Sequence, residues 1–183
     1  MKEVLLHACC AICSGYPILK LRELGYEPIV YFCNDNFDTE DEYNRRLEAQ
    51  KTLCEYLQAE LIIEPYCSSR YHEYIRGFET EKEGGKRCLK CFELRLSDTA
   101  LKAKELGFEL ITTSMIISPH KNFKNLCFVG EEIAKNQSVE FLGIDFKKQD
   151  GFLKTNRISK ELGLYRQNYC GCIYAKKEVK DGM

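Results

Sequence analysis

Seven of the eleven cysteines in the chain stand in three close groups: Cys9, Cys10 and Cys13; Cys88 and Cys91; Cys170 and Cys172. Thiolates are soft ligands, suited to iron–sulfur clusters, zinc or Cu(I). The second group is a C-x-x-C pair at the expected start of a helix. That spacing puts two sulfurs on one side of a turn, and the helix N-terminus favours their ionised form. Taken with Cys9 and Cys10 it offers four ligands, the number a [4Fe–4S] cluster or a structural zinc needs. The third group, C-x-C, is too cramped for an unstrained disulfide. A strained disulfide is readily reduced, which suits a redox pair; the same two sulfurs could instead hold a second metal ion. Zinc accounts for four thiolates but not for seven, so the count favours a redox cofactor. Cys33, Cys54, Cys67 and Cys127 stand alone. Cys54 reads as core, and Cys33, ending a strand, as an outside candidate for the site.

Apolar strand-like runs at 4–7, 28–33, 61–63, 110–117 and 139–144 alternate with helical patterns at 16–24, 43–58, 70–78, 91–106, 123–135 and 155–162. Gly25, Gly107 and Gly163 fall where helices should stop. The alternation predicts one α/β domain over 1–183, a parallel sheet covered by helices on both faces. In such sheets ligands bind beyond the carboxyl ends of the strands. The loops after residues 7, 33, 64, 117 and 146 therefore frame the site. The first of them carries Cys9, Cys10 and Cys13 where a nucleotide-binding fold would carry a glycine-rich phosphate loop. Ser14-Gly15 alone is too little to claim a nucleotide. The Cys-containing tail, about 164–183, is expected to fold back to the site.

With 44% hydrophobic and 30% charged residues, the composition excludes a disordered chain. No apolar run approaches the ~18 residues of a membrane helix, and the opening residues have no signal-peptide layout. A cytoplasmic protein without membrane contact is expected. Net charge is −1, but residues 22–64 hold 4 Lys/Arg against 11 Asp/Glu and residues 147–183 hold 9 against 4. A basic C-terminal part fits an anionic ligand on one face.

Four stretches together resemble the epoxyqueuosine reductases of the QueH type. They are Leu5-Leu6-His7-Ala8-Cys9-Cys10-Ala11-Ile12-Cys13-Ser14, Gly84-Gly85-Lys86-Arg87-Cys88-Leu89-Lys90-Cys91-Phe92-Glu93-Leu94-Arg95-Leu96, Thr112-Thr113-Ser114-Met115-Ile116-Ile117-Ser118-Pro119-His120-Lys121-Asn122, and Gly163-Leu164-Tyr165-Arg166-Gln167-Asn168-Tyr169-Cys170-Gly171-Cys172. The likeness runs from about residue 4 to 175. Ile12 stands where proline is usual and His120 where tyrosine is frequent. The resemblance implies a Rossmann-like fold of the adenine nucleotide alpha hydrolase (HUP) type without its phosphate loop. It implies reduction of epoxyqueuosine to queuosine at a tRNA wobble position, the last step of queuosine biosynthesis. On the matched positions Cys9, Cys10, Cys88 and Cys91 would hold a [4Fe–4S] cluster, and Cys13 is an extra ligand candidate. Cys170 and Cys172 would form a redox-active pair or ligate an adjacent mononuclear iron. His120 is the candidate proton donor. Lys86, Arg87, Arg95, Lys121, Arg157 and Arg166 are the candidate contacts to tRNA phosphates, and an external electron donor is required. Two other readings remain beside this one: a tRNA sulfurtransferase of similar fold, which should show a phosphate loop, and a non-enzymatic zinc-binding module.

Overall fold

A computed structural model describes residues 1–182, without the side chain of Asp181. Five parallel strands, β1 (Lys2–His7), β2 (Tyr26–Phe32), β3 (Leu61–Ile63), β4 (Leu110–Thr113) and β5 (Glu140–Phe141), form one sheet in the order β3-β2-β1-β4-β5. β1 lies at the centre because Val4, Leu5, Leu6 and His7 are all fully buried, as a strand covered on both faces must be. Its neighbours pair in parallel register, Leu6 opposite Val30 on one side and Thr112 on the other. Helix α1 (Ala11–Glu23) packs against α2 (Glu40–Leu57) and α6 (Gly151–Glu161). Helix α4 (Lys86–Leu106) packs against α3 (Ser68–Tyr74) and α5 (Phe123–Gln137). A last helix, α7 (Ile173–Asp181), follows Cys172. No helix among the described residues is long and apolar enough to cross a membrane.

Local chemistry sets the helix ends. Thr39 accepts the Glu42 N–H at 3.1 Å, and Glu40, Asp41 and Glu42 fill the first turn of α2, where carboxylates favour the positive end of the helix. Asn122 caps α5 in the same way. Gly107 closes α4 at φ +81°, a conformation costly for any residue with a Cβ.

Several elements differ from the sequence expectation. Helix α4 begins at Lys86 rather than 91, α6 begins at Gly151 rather than 155, β5 is only Glu140–Phe141, and α7 stands where a tail is expected. The run 110–117 is strand only to Thr113; Ser114–Ile117 wind into a 3-10 turn, because the Thr113 hydroxyl accepts the Met115 N–H at 3.2 Å. Helix α1 begins at Ala11, five residues before the expected start. The sheet order reverses direction between β1 and β4, so the loops leaving His7 and Thr113 face one crevice.

Candidate functional site

The chain leaving β1 reaches Cys9, whose N–H donates to the Ser114 hydroxyl at 3.1 Å; that hydroxyl lies 3.5 Å from the Cys9 sulfur. Behind it His7 is bonded to Thr113 Oγ1 at 3.0 Å and to the Cys33 carbonyl at 3.1 Å. Burial, helped by Arg95, pushes the His7 imidazole down to about 3, so it is a neutral strut. The ligand atoms of Cys9, Cys10 and Cys13 all lie within 4.8 Å of one another. Hydrogen bonds from Cys10 and Cys13 lower the Cys9 thiol well below its ordinary value, against the effect of burial. Bonds to Cys10 and Cys9, together with burial, push Cys13 up.

The other four sulfurs meet on a cavity of about 90 Å³ whose walls include Cys88, Cys91, Cys170 and Cys172. Cys88 and Cys91 sit in the first turns of α4, with the Gly84 N–H donating to the Cys88 sulfur at 3.2 Å. The Cys172 sulfur caps α7 by accepting the Ala175 N–H at 3.4 Å. A larger cavity of about 630 Å³, lined by Cys9, Cys10, Cys13 and Arg166, adjoins the first. Cys170, Arg95, His120 and Lys121 belong to the walls of both.

The tail is clamped at this boundary. Buried Arg46 donates to the carbonyls of Cys170 at 3.0 Å and Tyr169 at 3.3 Å, and the Asp38 N–H donates to the Gly171 carbonyl at 2.9 Å. Asp38 also accepts from the Tyr169 hydroxyl at 2.5 Å and from Lys176 at 2.7 Å.

The structure brings the expected thiols to adjoining walls: Cys9, Cys10 and Cys13 form a compact set of three, and Cys88 and Cys91 line the neighbouring cavity. All eleven cysteines are free, so Cys170 and Cys172 are not disulfide-bonded here. Among the expected phosphate contacts, Lys86, Arg157 and Arg166 are exposed, and Arg166 borders the larger cavity. Arg87 departs from the expectation. It is 1% exposed, pairs with Glu178 at 2.9 Å, donates to the Glu79 and Glu81 carbonyls and stacks on Tyr174, so it braces α4 against α7. Arg95 is buried too. Its Nη1 bonds Asn34 Oδ1 at 3.4 Å, while Nε and Nη2 have no partner among the described residues.

Those orphaned donors test what the site suits. A buried guanidinium without an anion costs several kcal/mol. Arg95 faces Cys91, Cys170 and Cys9, and Lys121 faces Cys170, Cys9 and Cys13; in both, burial opposes the charge and the thiols hold it, raising the pKa. Soft sulfur ligands beside buried Arg95 and half-buried Lys121 fit an anionic iron–sulfur group. Charge-based reading missed Asn36, a buried wall residue of the smaller cavity. Its sequence signal was position alone, in the Asn34-Asp35-Asn36 turn at the carboxyl end of β2.

A doubly wound α/β sheet with thiols where a phosphate loop would stand defines a Rossmann-like domain adapted to metal or redox chemistry. The fold is shared with the U34-tRNA thiolase NcsA of Methanococcus maripaludis, solved with its [4Fe-4S] cluster: TM-score 0.60, 15% identity, covering 98% of this chain and 64% of that one. The sequence narrows the class. The family model "Epoxyqueuosine reductase QueH" matches residues 4–178. The epoxyqueuosine reductase of Streptococcus pyogenes is 38% identical over 96% of this chain and 71% of its own length. That of Dehalococcoides mccartyi is 37% identical over 96% and 93%. The chain belongs to the epoxyqueuosine reductase QueH family.

Proposed function

We propose that this chain reduces epoxyqueuosine to queuosine at the wobble position of tRNA. The observation that carries the reading is the convergence of seven thiols from three chain segments on two adjoining cavities with buried Arg95 and half-buried Lys121 in the shared wall. The reaction breaks two C–O bonds, takes two electrons and two protons, and releases water. Cys9, Cys10, Cys88 and Cys91 would hold a [4Fe–4S] cluster, with Cys13 as an extra ligand. Bound there, the cluster would supply electrons singly, and an adjacent iron, rather than a cluster iron already bound by cysteine, would supply the Lewis acid for the leaving oxygen. Arg95 and Lys121 balance the anionic sulfur. His120, exposed at the mouth of both cavities, delivers a proton to the departing oxygen. Cys170 and Cys172 either cycle between dithiol and disulfide or ligate an adjacent iron. Arg166, Lys86 and Arg157 are exposed and free to meet tRNA phosphates. A reductant outside the chain supplies the electrons, and cytoplasmic location follows from the tRNA substrate.

The sulfurtransferase reading is disfavoured because α1 begins at a cysteine N-cap rather than a phosphate loop. The test is anaerobic purification with iron and sulfide analysis, EPR after reduction, and nucleoside analysis of epoxyqueuosine tRNA after incubation. The expected protein is brown, with broad absorption near ~400 nm, and converts the epoxide. A colourless zinc protein, or an iron protein that leaves the epoxide intact, overturns the reading.

A further inference from the structure

Asn36 is 1% exposed, forms part of the wall that also holds Cys88, Cys91 and Cys170, and has no hydrogen-bond partner for either Oδ1 or Nδ2 among the described residues. The rest of its turn is fully engaged. Asn34 donates to the Ala8 carbonyl at 2.9 Å, and Asp35 accepts from the Cys67 N–H and from Arg70, both at 2.9 Å. So the turn is rigid and presents one idle amide to the cavity. A buried amide without partners is costly, and it persists where a ligand offsets the cost.

Arg95 and Asn36 leave different demands on the same cavity. The guanidinium only donates and is cationic, which suits anionic sulfur. The amide both donates and accepts. Thiolates and inorganic sulfides only accept, so they satisfy Nδ2 and leave Oδ1 facing negative charge. An epoxide oxygen also only accepts. A hydroxyl satisfies both amide atoms at once.

We propose that Asn36 binds a hydroxyl of the epoxide-bearing ring of the wobble nucleoside, so that it is a substrate-contacting residue of this site. This rests on the reading of the chain as an epoxyqueuosine reductase. The ribose offers the same chemistry, and the test separates the two sources.

The probes are anticodon stem-loops carrying either queuosine, whose ring keeps its hydroxyls, or guanosine at the wobble position. Binding to the anaerobic holoenzyme is compared for wild type, Asn36→Leu and Asn36→Asp. The wild type should prefer the queuosine stem-loop, and Asn36→Leu should lose about tenfold of that preference with unchanged affinity for the guanosine stem-loop. Asn36→Asp, which keeps an acceptor, should lose less. Iron content should be unchanged. The thermal midpoint of the metal-free Asn36→Leu protein should be equal or higher, because leucine removes an unpaired buried amide. A preference that survives Asn36→Leu overturns the proposal and leaves the ribose or no contact. So does a loss of iron, which would make Asn36 a cluster contact, or a midpoint several degrees lower, which would make it structural. Epoxide reduction by the wild type is scored in parallel. If the wild type reduces the epoxide while the preference survives the substitution, the Asn36 assignment alone falls. If the wild type neither reduces the epoxide nor prefers queuosine, both fall.

Discussion

Gly171, between the two tail thiols, has φ +132°, and a Cβ built on it would stand 2.5 Å from Phe37 Cδ1 and 3.2 Å from Arg46 Nη1. Alanine there incurs about 1–2 kcal/mol for the backbone conformation. Crowding against a buried ring adds about 1–3 kcal/mol. The loop is held by three backbone-directed hydrogen bonds, two from the charged Arg46, each with a net contribution of about 1.5–3 kcal/mol, and one from the Asp38 N–H, of about 0.5–1.5 kcal/mol. Cost and restraint are of one size, so Gly171→Ala should release the loop without unfolding the sheet. At the lower end of the summed cost, about 2 kcal/mol, the undocked population already rises roughly 30-fold. The assay is thiol labelling of the metal-free protein, mapped by mass spectrometry, with exposed Cys67 as the internal standard. Cys170 and Cys172 should label about 30-fold faster relative to Cys67, and the thermal midpoint should move little. Cys170 labelling within twofold of wild type would refute the clamp.

Cys88→Ala should abolish both the brown colour and epoxide reduction, and a variant retaining full iron and sulfide would remove Cys88 from the ligand set. Arg166→Ala should weaken tRNA binding and lower the slope of its salt dependence by about one; equal binding across a salt series would take Arg166 off the RNA face. Gly130→Ala places a Cβ 2.6 Å from the Phe141 ring, where α5 lies on β5. It should cost about 1–3 kcal/mol and lower the midpoint by about 2–12 °C, while activity per folded molecule stays at wild type; an unchanged midpoint would show that the helix shifts freely.

The parallel alternation was legible because each buried strand is a short apolar run and each helix shows two faces. Where strand β4 stops was not, since Met115, Ile116 and Ile117 are as apolar in a 3-10 turn as in a strand. The start of α1 was hidden by Gly15 and Pro17, which argue against a helix. The compensation comes from α6: the Thr155 hydroxyl donates to the Ile12 carbonyl at 2.7 Å and accepts the Tyr16 N–H at 3.3 Å, bridging a turn of α1 across 139 residues of chain or more. No local pattern encodes that. Thiol spacing picked out the cysteines that meet at the adjoining cavities, and the basic C-terminal part suggested an anionic ligand. Charge could not separate exposed Arg166 from buried Arg87, because burial depends on Glu178 and Tyr174 arriving from the far end of the sequence. Asn36 stayed invisible because an asparagine in a turn has an ordinary local explanation.

The Arg46–Asp38 clamp also has a bearing on biosynthesis. Synthesis runs from the amino end, so the sheet residues and five of the seven grouped thiols leave the ribosome well before Cys170 and Cys172. The grip on α2 and its preceding loop cannot close until Tyr169 to Lys176 are made. On the proposed reading, a metal delivered before Tyr169 to Lys176 have emerged would meet a half-built nest.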